Sequence, residues 1–361
     1  MRSLMRIGIL SRWNATCGVS VHAESIGHEL INMGHNVVVF APTLESANRD
    51  WHHIKIDTMD EDFVVRCFDE ADDEGKGGRI CIDRILSYDL DVLLVEAYHR
   101  IPLRDLEDLL RKVSPKAKTV AVIHDGVKKW VEPFARMPFD AIVVFDERYI
   151  NELLYDIPGG NKRKIHIIPY PCVEVKVDRK LRPEFAKDGK ILFFSFGRQP
   201  VREYLDYVYV LRKLRYHYDI VYWIIRADRR MPELEDTWLI QWVRRPPLDE
   251  LYRYLAGADV HLLPKGKTKN VVISSTCFQC LGAPCPMVVP DTRHFELLPV
   301  DEEGVGPVVK YKDREDLLAK VMRLIEDEEY RRKVVERAQE YVKSHSARVV
   351  ASKFLELFDE I

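Results

Sequence analysis

Apolar residues fall in short runs, separated by stretches where they recur every three or four positions. Arg6–Leu10 is one such run and ends in Ser-Arg-Trp-Asn, a loop composition. Val19–Met33 follows with Val21, Ile26, Leu30 and Ile31 at helical spacing, and Gly34 stands where a helix C-cap residue belongs. Val37–Phe40, closed by Pro42, is again strand-like. Strand, loop with Gly18, helix and strand make a βαβ unit. Asp91–Ala97, Thr119–His124, Ala141–Phe145 and Lys164–Ile168 continue the pattern as buried parallel strands, with helices over 102–112 and 147–155. The stretch 44–90 is less regular, and its cluster of Asp, Glu and Gly at 69–78 reads as a surface loop.

The pattern restarts after Pro169-Tyr170-Pro171. Residues 173–189 are charged and read as a linker. Ile191–Phe196 is a strand ending in Gly197 and Arg198, and a helix follows over 203–215. Further strands fit 220–226, 238–243, 259–263, 287–289 and 308–311. Helices fit 248–257, 274–282, 314–326, 328–343 and 346–359. Two doubly wound α/β domains result, over 1–172 and 173–345, with a cleft between them. Ligands of such sheets bind outside the carboxyl ends of the strands, so functional residues are expected on those loops.

The 361 residues include 55 Lys plus Arg and 58 Asp plus Glu, a formal net charge of −3. That balance gives no general attraction to nucleic acid, and none is expected as a partner. No apolar run approaches the ~20 residues that span a bilayer. With no signal-type stretch at the start, the expected location is the cytoplasm. Seven scattered Cys fit reduced thiols.

Several residues carry chemistry by position. Gly18 opens the first helix, where a Gly either lets backbone N–H groups approach an anion or simply makes a tight turn. Arg198 closes the first strand of the second half and Arg202 follows four residues later; guanidinium groups there pair with phosphate oxygens. His124 ends a strand, suited to a sugar hydroxyl or a proton. Cys277, Cys280 and Cys285 have a spacing that invites a metal reading, but without a second pair they read as buried thiols, and no metal is expected. Lys128, Lys129 and Trp130 read as a solvated loop able to touch a membrane surface or a glycan.

The opening RIGILSRWNATCGVSVHAESIGHELINMGHNVVVFAP resembles the start of GT-B retaining glycosyltransferases, in the group containing sucrose-phosphate synthase, glycogen synthase and the phosphatidylinositol mannosyltransferases. The resemblance continues through VAVIHDG, KIHIIPYP, ILFFSFGR, RPPLDELYRYLAGADVHLLP and the C-terminal helical segment. It implies two Rossmann-like domains, with the last helix (346–361) crossing back to the first. The implied activity is transfer of a sugar from a nucleotide-diphosphate donor to an acceptor hydroxyl with retention, without a cofactor. The acceptor is open among lipid, glycan, protein and small molecule, and peripheral membrane contact fits a lipid.

Carried over by position, Gly18 lies beside the donor diphosphate, Cys17 replaces the Gly before it, and His124 contacts the transferred sugar. Gly197 and Arg198 match the "G-R" motif and Arg202 the Lys of "E-K-G", with one residue fewer between the two cations here. Val243, Arg244 and Arg245 align with the base-holding segment. The family's Glu-x7-Glu is absent: Val271 and Gln279 stand at its two positions. Val271, Val272 and Ile273 are left to contribute backbone N–H groups, and Asn270, Ser274 or Ser275 polar contacts. Gln279 can still accept from ribose hydroxyls. Glu296 matches the Glu of "G-G-x-x-E-L". The missing acidic pair gives a competing expectation, an inactive scaffold homologue, and a sugar-nucleotide epimerase is a third.

Overall fold

The computed structural model describes residues 4–49, 56, 58–156, 164–187 and 189–361. They divide into two units: residues 4–171, 270–275 and 345–361, and residues 172–269 and 276–344.

The first unit is built on an eight-stranded sheet. Its strands are β1 (Arg6–Leu10), β2 (Asn36–Pro42), β3 (Val64–Asp69), β4 (Arg79–Ile80), β5 (Val92–Ala97), β6 (Lys118–Ile123), β7 (Ala141–Val144) and β8 (Ile165–Ile167). The spatial order is β4-β3-β2-β1-β5-β6-β7-β8, parallel except for β4 against β3. All six residues of β5 are buried, as a strand covered on both faces requires. Helices α1 (Gly18–Asn32), α2 (Leu44–Ala47), α3 (Ile82–Leu86), α4 (Leu103–Val113) and α5 (Lys128–Arg136) connect the strands, with a π-helical turn at Tyr149–Leu154. α4 buries Leu106, Leu109, Leu110 and Val113, a stripe at helical spacing. Gly34, at φ +93°, follows α1 in the left-handed conformation that the C-terminal position favours.

The second unit carries β9 (Ile191–Gly197), β10 (Ile220–Arg226), β11 (Leu239–Val243), β12 (Val260–Leu262), β13 (Met287–Pro290) and β14 (Val309–Tyr311), all parallel, in the order β11-β10-β9-β12-β13-β14. Successive residues of β10 enter opposite cores. Val221, Trp223 and Ile225 join one, while Ile220, Tyr222 and Ile224 join the other. Helices α6 (Leu205–Leu214), α7 (Leu248–Gly257), α8 (Ser275–Cys280), α9 (Arg314–Glu326) and α10 (Glu328–Ser344) follow in order. The chain ends in α11 (Ala347–Glu360), which packs on α1 in the first unit. Asp313 caps α9 by accepting from the N–H groups of Glu315 and Asp316 at 3.0 and 2.9 Å, and Ser346 caps α11.

The stretch 44–90 holds two strands and two short helices; its segment 70–78 is a loop exposed at Asp73, Glu74, Lys76, Gly77 and Gly78, with Glu70 at its start fully buried. Three expectations are corrected. Residues 173–187 are no free linker: Val173, Val175, Val177, Leu181 and Phe185 pack on the second unit's core. Arg182 fastens this strap by donating to the carbonyls of Ala186, Gly257 and Lys190 at 2.8, 2.7 and 2.5 Å. Lys128, Lys129 and Trp130 form the first turn of α5 rather than a loop, with Lys129 Nζ over the indole at 4.4 Å. The helix expected over 274–282 is only six residues long.

His261 in β12 gives a measurable consequence. Its ring stacks on Phe196 at 5.6 Å and is 1% exposed. Burial pushes its pKa from 6.5 down to about 3. Below pH 6.5 the unfolded chain takes up a proton that the folded ring refuses, so this residue withdraws stability as the pH falls toward 3. The loss approaches about 1.4 kcal/mol per pH unit in that window. His261→Phe is expected to flatten the acid side of the stability profile. Urea unfolding of both proteins at pH 7 and 4.5 checks this; equal pH slopes would refute it.

Candidate functional site

In the first unit the loops after β1, β5, β6, β7 and β8 enclose a pocket of about 330 Å³. Its walls include Arg12, Gly18, Tyr98, Arg100, His124, Asp125, Phe145 and Tyr170, together with Val272, Ile273 and Ser275. This is the carboxyl end of a parallel sheet, where the topology leaves room for a ligand. Gly18, His124, Val272 and Ile273, four of the residues singled out by sequence, are thus brought together. The Gly18 carbonyl accepts from the Tyr170 hydroxyl at 2.7 Å. Val271 lies beside them, buried, with its carbonyl pressed against Gly126. Arg148 donates to the Val272 carbonyl at 3.1 Å, which helps to fix the segment.

Beside the pocket, Arg12 is buried and pairs through Nε with Glu70 at 3.2 Å. The Tyr98 hydroxyl donates to the same carboxylate at 2.7 Å. Arg100 pairs with Asp73. Both guanidinium groups near the pocket therefore have anionic partners, so the wall is less cationic than its residue types suggest. His99 and Asp125 are joined twice, through the His99 N–H at 2.7 Å and its ring Nδ1 at 3.2 Å.

At the base of the pocket stands a cluster that sequence reasoning missed. Glu96 in β5 meets His22 Nδ1 at 2.9 Å and His124 Nε2 at 2.5 Å, one imidazole on each carboxylate oxygen. Burial works to raise the Glu96 pKa, but the two imidazoles outweigh it and hold the carboxyl down at about 2. Burial also lowers the pKa of His124, against the pull of Glu96. Two signals were present in the sequence. A Glu interrupts the apolar run of β5, and His22 falls on the buried face of α1 with Ala23, Ile26 and Leu30. The three donor atoms lie within 4.8 Å of one another and form a metal-capable set. Their contacts of 2.9 and 2.5 Å are hydrogen-bond distances. Ligands sharing one tetrahedral ion with bonds near 2.0–2.1 Å stand about 3.3 Å apart.

Asn270, Ser274 and Ser275 belong to the first unit with Val271, and the remaining predicted residues to the second. Gly197 and Arg198 close β9, and Arg202 is exposed in a short 3₁₀ turn at Val201–Glu203. Lys265, beyond β12, was not singled out by sequence. Burial lowers its pKa and the neighbouring Arg198 lowers it further, while Glu203 opposes both. Lys310 in β14 donates to the Leu298 carbonyl at 2.7 Å and also has its pKa lowered by burial. Glu296 is exposed and pairs with Arg293 at 3.4 Å. Val243 is exposed at the end of β11, and Arg244 pairs with Glu250 at 2.5 Å. The Gln279 backbone carbonyl accepts from the Tyr252 hydroxyl at 3.1 Å. Cys277, Cys280 and Cys285 are buried, and burial pushes the Cys277 thiol up to about 12. Among the described residues they form no metal-capable group.

No helix among the described residues is long and apolar enough to cross a membrane. Residues 210–356 match the family described as "Glycosyl transferase-like". A glycosyltransferase from Rickettsia africae is 13% identical, with 99% of each chain covered and a TM-score of 0.73. The Anabaena protein HepE, solved with UDP and glucose, is 11% identical, covering 99% of this chain and 100% of that one at a TM-score of 0.67. An alpha-glucosyltransferase solved with UDP and a DNA 13-mer is 15% identical, with 99% and 100% covered and a TM-score of 0.68. The chain is therefore an α/β protein of the GT-B fold, two doubly wound parallel-sheet units, with a glycosyltransferase-like signature over residues 210–356.

Proposed function

We propose that the protein is a glycosyltransferase that moves a hexosyl group from a nucleotide-diphosphate sugar to an acceptor hydroxyl with retention of configuration. The observation that carries this reading is the placement of Arg198 and Lys265 just beyond the carboxyl ends of the paired strands β9 and β12, where parallel sheets bind ligands. Cations at adjacent strand ends suit an anion of two or more charges, such as a diphosphate. HepE, with UDP and glucose bound, and the match to the glycosyltransferase-like family support the same choice.

In this reading Arg198 and Lys265 neutralise the charge that gathers on the departing diphosphate. Arg202 adds a third cation. Val243, Arg244 and the Gln279 side chain face the nucleoside, and Glu296 contributes from the segment after β13. With Val271 in place of a carboxylate, no acid of the chain stands at that position to take the acceptor's proton. Retention then proceeds with the hydroxyl entering on the face the diphosphate leaves, its proton passing to the leaving phosphate oxygen. The acceptor is a hydroxyl compound of open class, a lipid at a membrane surface included.

A thermal-shift screen of nucleoside diphosphates and their sugars tests the reading, followed by assay of released nucleoside diphosphate. A ligand at 100 times its Kd adds about 2.7 kcal/mol to folding stability. Stabilisation by one base series together with transfer to an acceptor is expected. Stabilisation without turnover would indicate a sugar-nucleotide-binding scaffold, and no stabilisation by any member would reject the donor class.

A further inference from the structure

The His22–Glu96–His124 cluster does more than fill the core. Glu96 is fully buried inside an apolar strand, and burying a carboxylate there is costly unless both oxygens are satisfied. An apolar side chain would fill β5 at lower cost. Here each oxygen meets a different imidazole, and the two rings differ in what lies beyond them. His22 is sealed: Phe145, Tyr170 and Phe354 surround it with ring centroids at 5.3, 5.4 and 6.0 Å, and its Nε2 has no hydrogen-bond partner. His124 lines the pocket.

This asymmetry fixes the protons. A proton on His22 Nε2 would be a buried donor with nothing to accept it, which costs more than an idle lone pair. His22 is therefore neutral, with its proton on Nδ1 and donated to Glu96 Oε1. At the other oxygen, a lone pair on His124 Nε2 would face the carboxylate at 2.5 Å and repel it, so Nε2 carries the proton. The proton-free nitrogen of His124 is then Nδ1.

We infer that Glu96, backed by His22, is a positioning residue that holds His124 as a neutral ring with Nδ1 as a fixed acceptor for a ligand hydroxyl in the pocket. That the hydroxyl belongs to a sugar rests on the proposed transferase reading; the proton arrangement does not. An acceptor-only nitrogen favours a hydroxyl donor and disfavours a bare phosphate oxygen, which makes this point of the pocket selective for a polyol.

The test is ¹⁵N NMR of imidazole-labelled protein, read without any ligand. At pH 7 the free protein is expected to show His124 protonated at Nε2 and His22 at Nδ1. Glu96→Gln supplies one acceptor and one donor in the same shape. The NH₂ group should turn to His124, because His22 would otherwise be forced to place a proton on its sealed Nε2. His124 should then switch to the Nδ1–H form while His22 stays unchanged. In an enzyme with measurable sugar-nucleotide turnover, the same variant should lose about 10-fold or more in kcat/KM, the equivalent of one good hydrogen bond. Its melting temperature serves as the folding control. A wild-type His124 protonated at Nδ1, or a Gln variant in which His124 does not switch, would overturn the inference. So would stoichiometric zinc uptake that erases both N–H signals, since the cluster would then be a metal centre. A protein with the stated tautomers but no transfer activity would retain the positioning role and lose only the transferase reading.

Discussion

Gly126→Ala is expected to destabilise the first unit by about 1–3 kcal/mol or more and to distort its pocket. A Cβ at position 126 would lie 1.5 Å from the Val271 carbonyl oxygen, well inside any tolerable contact. The obstacle is backbone, so no side-chain rotation relieves it. Either the 270–275 segment retreats, carrying Val272 and Ile273 out of the pocket wall, or the loop after β6 moves and takes His124 and Asp125 with it. Both routes change the same pocket. Denaturant unfolding and a ligand-induced thermal shift report the two effects. A variant within ~0.5 kcal/mol of the parent, with ligand binding intact, would mean that this close approach does not set the pocket.

Arg198→Ala carries the second large effect. A charge-assisted hydrogen bond to a phosphate contributes about 1.5–3 kcal/mol, so nucleoside diphosphate affinity should fall roughly 10- to 100-fold. Removing Arg198 also removes one source of the pressure on Lys265, whose pKa should rise toward its ordinary value. Lys265→Ala should weaken the same ligand, and the departure of the double variant from the sum of the two single losses measures whether both cations act on one anion. Isothermal titration with UDP across the four proteins measures this. An unchanged Kd in the Arg198 variant would remove the guanidinium from the site.

The parts of the fold that were legible are those where one physical rule acts alone. Ile191–Phe196, Ile220–Arg226 and Val92–Ala97 are apolar but for Ser195, Arg226 and Glu96, because parallel strands are covered on both faces, and a short apolar run between loop residues shows that directly. The strap at 173–187 was hidden by its charges: Val173, Val175 and Val177 alternate with polar residues, and their burial comes from the core they lie on. α5 was hidden by Pro133 and by two lysines in its first turn. Gly18 and His124, which line the first unit's pocket, and Arg198, at the end of β9, follow from the rule that strand ends face ligands. Glu96 and His22 did not, because each sits inside an element that its neighbours already explain. Only the pairing of two distant elements, α1 and β5, turns a polar residue in a core into a hydrogen-bonded chain. Lys265 was passed over for a similar reason: its meaning depends on Arg198, 67 positions earlier in the chain.

The composition of the first unit bears on how the molecule is made. Its sheet is complete in sequence by β8, yet it still needs residues 270–275 beside Gly126 and α11 against α1. During synthesis residues 270–275 emerge after four of the other unit's six strands, and α11 only after all six. The half that is translated first is therefore the half that is finished last, and until then the flank of α1 that α11 covers is open to water and to whatever chaperone is at hand.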